Sequence, residues 1–210
     1  MRLKLPVRRT GWVLWFIAAF WLVELAFLAA GAANAAEADR YRAQLTRIAH
    51  AEAGLDAPIP MFAAQIHQES GWNPQAVSQV GAKGMAQFMP ATAIWWCEQI
   101  GTAGAACQPN NPAWAMRAMI GYDRWLYARV NGESEFDRWW AALRAYNGGL
   151  GHWQAEAATV RPSKGRESID KACGKARRHA SHCRENLGYP QRILNLIQPR
   201  YRIWGRAVGA

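Results

Sequence analysis

Acids are scarce in this chain. Across 210 residues, 15 Asp and Glu stand against 25 Lys and Arg, and between Asp56 and Glu98 the only acid is Glu69. That scarcity excludes a pair of catalytic carboxylates close together in that stretch. Charged residues make up 19% and hydrophobic ones 51%, which excludes disorder and leaves enough apolar mass for one domain with a proper core. Strands are absent from the pattern, since no period-two alternation of apolar and polar residues emerges. His67-Gln-Glu69 imitates the H-x-E of zinc deaminases, but the P-C-x-x-C that chemistry requires is missing. H-E-x-x-H, G-x-S-x-G and a Walker glycine loop are missing too, which removes zincins, α/β-hydrolases and P-loop nucleotide chemistry. No internal repeat and no low-complexity segment occurs.

What is there centres on Glu69. It lies in the apolar stretch Pro58-Ile-Pro-Met-Phe-Ala-Ala-Gln-Ile-His-Gln-Glu-Ser-Gly71. On a 3.6-residue period Phe62 and Ile66 share its face, and Gln65 stacks one turn below. Desolvation on such a face raises a carboxyl's pKa, the condition for a general acid near neutral pH. A buried structural Glu, held by a salt bridge or by backbone amides, fits the same pattern.

The first 35 residues differ in kind. Arg2, Lys4, Arg8 and Arg9 precede an apolar run from Gly11 to Val23; Glu24 interrupts it, Leu25 to Ala30 continue it, and Ala33-Asn34-Ala35 offers an A-x-A cleavage site. This reads as an export signal, with an uncleaved inner-membrane anchor over residues 11–30 as the alternative. Either places residues 36–210 outside the cytoplasm, in the periplasm. In that oxidising setting the four cysteines read as disulfides, most simply Cys97 with Cys107 and Cys173 with Cys183. The competing reading is metal, because Cys173, His179, His182 and Cys183 are four soft ligands within eleven residues. The lack of a C-x-x-C knuckle and the export signal favour disulfides, so neither metal nor other cofactor is expected. The net charge of +10 is concentrated near the end: Arg161 to Arg206 holds twelve Lys or Arg against Glu167, Asp170 and Glu185. For an exported chain that patch suits the anionic wall or lipid headgroups, or is simply a solvated face, and nucleic acid is not an expected partner.

Helical punctuation runs through the rest. Helices are predicted over Ala38–Ala53, over about Pro60–Ser70 with Gly71 as the stop, and within Met85–Trp96, interrupted or restarted at Pro90. Asn111-Pro112 opens a long amphipathic helix to about Val130, and Ser134-x-x-Asp137 opens another that ends at Gly148-Gly149. Residues 154–184 are polar and basic and read as an insertion or loop stapled by a disulfide. A last helix runs from about Tyr189 to Leu196, burying Ile193, Leu194 and Ile197. The expectation is one mainly α domain, residues 36–210, after the targeting segment.

Four motifs in order then resemble the SLT-type lytic transglycosylases, whose helical domain is goose-lysozyme-like: Gln68-Glu69-Ser70-Gly-Trp-Asn-Pro-Gln-Ala-Val-Ser78, Gly81-Ala-Lys-Gly84-Met-Ala-Gln87-Phe-Met-Pro90, Ala145-Tyr146-Asn147-Gly-Gly149, and Glu185-x-x-x-Tyr189. The resemblance implies a lysozyme-like fold and cleavage of peptidoglycan glycan strands between N-acetylmuramic acid and N-acetylglucosamine. Glu69 would be the single acid and then base, closing a 1,6-anhydro ring without consuming water. It further implies that Ser70 helps orient the acid or substrate, that Gln87 presents its amide to the sugars, that Tyr146 stands within hydrogen-bonding reach of the acid, and that Asn147, Glu185 and Tyr189 support the sugar site. Met85-Ala86 departs from the Leu-Met usual in the family, and Gly188 and Pro190 depart around Tyr189. The nine tryptophans after residue 35 include candidates for sugar stacking, although aromatic residues mostly fill cores. Glycan strands are the implied partner, and a secretion, conjugation or phage-related apparatus is a setting that uses such chemistry. A hydrolytic muramidase on the same scaffold and a non-catalytic wall-binding or assembly protein are the rival readings.

Overall fold

The structure is a computed structural model that describes residues 35–102, 104–163 and 165–209. The export signal or anchor falls on residues outside the described ones. Eight α-helices are described: α1 (residues 35–53), α2 (Ile59–Ser70), α3 (Pro90–Gln99), α4 (Pro112–Tyr127), α5 (Glu135–Gly148), α6 (Leu150–Thr159), α7 (Arg166–Lys171) and α8 (Cys183–Pro190). A π-helical stretch, Gln191–Ile197, and a 3-10 segment, Gln198–Trp204, follow. Among the described residues there is no strand beyond isolated bridges that tie Lys83 to Val77 and Phe88. The fold is mainly α, as expected. No helix among the described residues is long and apolar enough to cross a membrane.

The sequence punctuation works through specific bonds. Asn111 caps α4 by accepting from the N–H of Ala113 at 2.9 Å and of Trp114 at 3.2 Å, and Ser134 caps α5 by accepting from Asp137 N–H at 3.1 Å. The restart at Pro90 is the true start of α3, because proline's fixed φ and missing N–H suit the first turn. Residues 71–89 are irregular.

The domain is organised around α2. Every residue from Ile59 to Ile66 is buried, so the helix is enclosed on all sides rather than laid on a surface. The π-helical and 3-10 segments pack against it, with Ile193, Leu194, Tyr201 and Trp204 buried. α5 lies against α4, α6 and α8. Tryptophan serves the core, since Trp72, Trp96, Trp139, Trp140, Trp153 and Trp204 are all buried. The chain end differs from expectation: instead of one helix at Tyr189–Leu196, a regular helix closes at Pro190 and looser turns continue to Trp204.

Residues 154–184 differ more. Their polar composition predicted a loop, yet they contain half of α6 and all of α7. The charges are there to be paired inside. Arg144 of α5, with no exposed surface, bonds Glu156 at 2.5 Å, Asp170 at 2.9 Å and Asn186 at 3.0 Å. Glu156, equally buried, also accepts from Arg178 at 2.8 Å. One network thus joins α5, α6, α7 and α8. Both local disulfides form, Cys97–Cys107 and Cys173–Cys183, with Cα separations of 6.0 and 5.9 Å. The second consumes two of the four ligands on which the metal reading depended.

Candidate active site

Glu69 is the penultimate residue of α2. Gly71 ends the helix in the left-handed region (φ 58°), its N–H returning to His67 O at 3.0 Å. Trp72 follows at φ 71°, a costly conformation for a bulky residue. It is held there by full burial, by the bond from its indole N–H to Tyr201 Oη at 2.9 Å, and by rings of Tyr41 and Trp204 alongside. This turn stops α2 where the Glu69 carboxyl meets a groove of about 650 Å³.

The groove brings together Glu69, Gln87, Tyr146, Asn147 and Glu185, drawn from α2, the 71–89 segment, α5 and α8. Val80 and Met89, both exposed, line it as well. Tyr189 stands behind the acid, buried, and its hydroxyl donates to Glu69 Oε1. Burial dominates the electrostatics of Glu69 and pushes its pKa up to about 7; the Tyr189 bond opposes this, the Glu185 charge adds to it, and Arg192 opposes it.

Two of the supporting residues bond elsewhere than to the acid. Tyr146 does not bond the acid. Its hydroxyl donates to Ala86 O at 2.7 Å, and its ring lies parallel to that of Tyr189 with centroids 6.4 Å apart. The hydroxyl on the acid belongs to Tyr189, carried by α8, which packs against α5. The Oγ of Ser70 donates to Met85 O at 2.9 Å and so anchors the following turn to the helix end.

Gln87 is held in an unusual backbone conformation, φ 47°, in the turn after Gly84. Its amide nitrogen donates to Gly84 O at 2.9 Å and Ala76 O at 3.3 Å. Among the described residues its amide oxygen has no partner, which leaves an acceptor for a ligand's N–H or O–H. Gly84 permits the turn: at φ 75°, a Cβ there would lie 1.9 Å from Pro109 O. Asn147 is fixed by Asn186, whose amide donates to Asn147 Oδ1 at 3.2 Å and Arg144 O at 2.8 Å. The buried ion network therefore ends at the groove wall.

Sequence reading missed Arg192, which donates to Glu185 at 2.8 Å and to Gln68 at 3.2 Å and so bridges α8 to α2 beside the acid. A signal existed, since Glu185, Tyr189 and Arg192 recur at helical spacing. It also gave no reason to single out Asp123. Asp123 is completely buried in α4 and accepts from Gln65 at 3.3 Å. Burial pushes its carboxyl well above the usual range, the Gln65 bond opposing and the Glu69 charge adding. Asp123 Oδ2 and Gln65 Oε1 are buried without a partner, an arrangement that suits a protonated Asp123.

The described family "Transglycosylase SLT domain" matches residues 47–169. Membrane-bound lytic murein transglycosylase F of Alcanivorax borkumensis is 37% identical over 109 residues, covering 51% of this chain and 21% of that protein. The Pasteurella multocida protein of the same description is 38% identical over 93 residues, covering 44% of this chain and 17% of that one. The chain thus spans about a fifth of the length of these relatives. Among solved structures, the lytic transglycosylase Slt of Pseudomonas aeruginosa matches with a TM-score of 0.61 at 22% identity, covering 80% of this chain and 25% of that one. The 70 kDa soluble lytic transglycosylase of Escherichia coli matches with a TM-score of 0.56 at 22% identity, covering 77% of this chain and 24% of that one. At that identity the two structures establish likeness of fold.

Proposed function

The chain belongs to the transglycosylase SLT domain family, and from that premise we propose that it is a peptidoglycan lytic transglycosylase in which Glu69 is the sole acid and base. The observation that carries this reading is the Glu69 carboxyl at the groove, bonded by Tyr189 and with its pKa pushed up to about 7. Such a group holds its proton often enough at neutral pH to donate it, and loses it readily enough to take one back.

In the first step protonated Glu69 gives its proton to the oxygen linking N-acetylmuramic acid to N-acetylglucosamine, and the C1–O bond breaks. Positive charge develops at C1 of the muramoyl residue, where that residue's own acetamido oxygen shares it. Glu69, now a carboxylate stabilised by the Tyr189 hydroxyl, removes the proton from the C6 hydroxyl. O6 then bonds to C1, giving a 1,6-anhydro end and restoring protonated Glu69. The amide oxygen of Gln87 and the side chain of Asn147 hold the sugars' polar groups. The two disulfides and the membrane-bound description of the relatives support a site of action outside the cytoplasm.

One observation favours a second reading. Glu185 is an exposed carboxylate lining the same groove, as a hydrolytic muramidase needs for activating water. Mass spectrometry of digested peptidoglycan separates the two, because anhydro ends are lighter than reducing ends by one water. Only reducing ends would overturn the transglycosylase reading. Clearing of the wall by Glu69→Gln as fast as by the parent would overturn the assignment of catalysis to Glu69, and no clearing by the parent would leave a wall-binding protein.

A further inference from the structure

Beside the groove, and sharing Asn147, Gly148 and Glu185 with it, is a second cavity of about 500 Å³. Its remaining walls are two arginines and three histidines, most of them from the segment stapled by Cys173–Cys183. The cavity is built rather than incidental. Arg178 is 5% exposed, and its approach to the groove depends on Gly148, where a Cβ would lie 2.2 Å from Arg178 Nη1. Two nitrogens of the wall residues, Arg178 Nη2 and His152 Nδ1, are buried without a hydrogen-bond partner, a rare state for such groups. Arg177 is exposed and forms no ion pair among the described residues. The Nδ1 of His179 accepts from Ser181 N–H at 3.3 Å and lies 2.8 Å from Ser181 Oγ. The one carboxylate in the walls, Glu185, is already paired with Arg192 at 2.8 Å. Glu156, beneath, is shared between Arg144 and Arg178. What remains is a pocket with the unpaired charge of Arg177 and an unmet donor on Arg178, opening beside the candidate glycan groove.

We propose that this cavity binds a carboxylate of the peptide stem carried by the muramoyl residue of the bound strand. The inference rests on the glycan-cleaving reading above. In peptidoglycan the stem hangs from the lactyl group of the same sugar whose C1 reacts, and it carries free carboxylates. A carboxylate is a planar acceptor that Arg177 and Arg178 can bind with charge-assisted hydrogen bonds. Both cavities share a wall, so a strand in one delivers its stem to the other. The enzyme then prefers substituted muramoyl residues, and the stem sets where along the strand it cuts.

The test compares the purified full-length chain on three substrates: intact strands, strands stripped of peptides by an amidase, and peptide-bearing strands whose carboxylates are converted to methylamides. The parent is expected to show kcat/KM about tenfold higher on intact strands than on the other two. Arg177→Gln should bring that ratio close to one, and Arg177→Lys should restore part of it. Equal rates for the parent on all three, or an unchanged ratio in Arg177→Gln, would overturn the proposal. Inactivity of the parent on every substrate would instead sink the glycan-cleaving reading. Calorimetric titration of the free tetrapeptide stem then decides the cavity by itself: binding that Arg177→Gln abolishes supports it, and no binding by the parent refutes it.

Discussion

The hydroxyl of Tyr189 donates to the carboxylate of Glu69 across 120 residues of sequence. The bond joins the end of α2 to α8 and is enclosed on the far side by Tyr146, whose ring runs parallel to that of Tyr189. Burial favours the neutral form of Glu69, and this bond favours the charged one. The acid is thereby poised between the two protonation states that its proposed role requires.

Removing the hydroxyl shifts that balance in a known direction. In Tyr189→Phe the carboxylate loses a donor, so the pKa of Glu69 rises above about 7. The alkaline limb of the pH dependence of kcat/KM should move to higher pH, while kcat falls by about tenfold or more because the base form is less stabilised. A limb that stays in place or moves down contradicts the role given to Tyr189.

Glu69 also costs stability at high pH. Its pKa is raised in the folded state relative to the ordinary 4.5, so the native protein binds more protons than the unfolded chain between pH 4.5 and about 7. The penalty is absent below the unfolded pKa and complete above the folded one. Glu69→Gln should therefore be more stable than the parent at pH 8, by about 3 kcal/mol, and equal to it near pH 4. Urea melts at the two pH values measure this.

Asp123→Asn distinguishes a structural acid from a catalytic one. Because Asp123 is buried and its carboxyl favours the proton, the isosteric amide is expected to keep activity within about threefold of the parent and to leave stability at neutral pH unchanged or higher. A loss as deep as that of Glu69→Gln would make Asp123 a participant in the chemistry.

The buried ion network is vulnerable at its shared carboxylate. Glu156→Gln takes from Arg178 its carboxylate partner and leaves the buried Arg144 with Asp170 alone. The expected loss is about 3–5 kcal/mol, read by chemical denaturation. Since the network ends at Asn147, the folded fraction should also bind glycan more weakly.

Gly84→Ala drives a methyl group into Pro109 O and forces a side chain onto a positive φ. Displacing the turn that carries Gln87 should raise KM and lower kcat/KM by about tenfold or more, with a stability loss of about 2 kcal/mol. Steady-state kinetics with thermal melting separate the two effects.

Much of this was legible along the chain because the relevant physics is local. Caps at Asn111 and Ser134 and the stop at Gly71 act over three or four residues, so residue identity and spacing expose them. The disulfides close loops of ten residues and were equally readable. Residues 154–184 misled because composition counts charges without knowing their partners. Glu156, Asp170 and Arg178 look like a solvated loop until α5 brings Arg144 among them. Tyr146 and Tyr189 could not be ranked as partners of the acid, because the choice depends on how α8 packs against α5 and reaches α2.

By itself, the sequence determined that an acid would lie on an apolar helix face with no second acid near it in the chain, and that the helix would end immediately after it. Apolar periodicity and a glycine stop suffice for that. Tertiary structure alone decided what surrounds the carboxyl: Tyr189 on its oxygen, Arg192 and Glu185 beside it, buried Asp123 bonded to Gln65, and a basic cavity across the Asn147 wall. Electrostatic interactions and desolvation depend on distances in space, and those distances exist only once elements more than a hundred residues apart have packed.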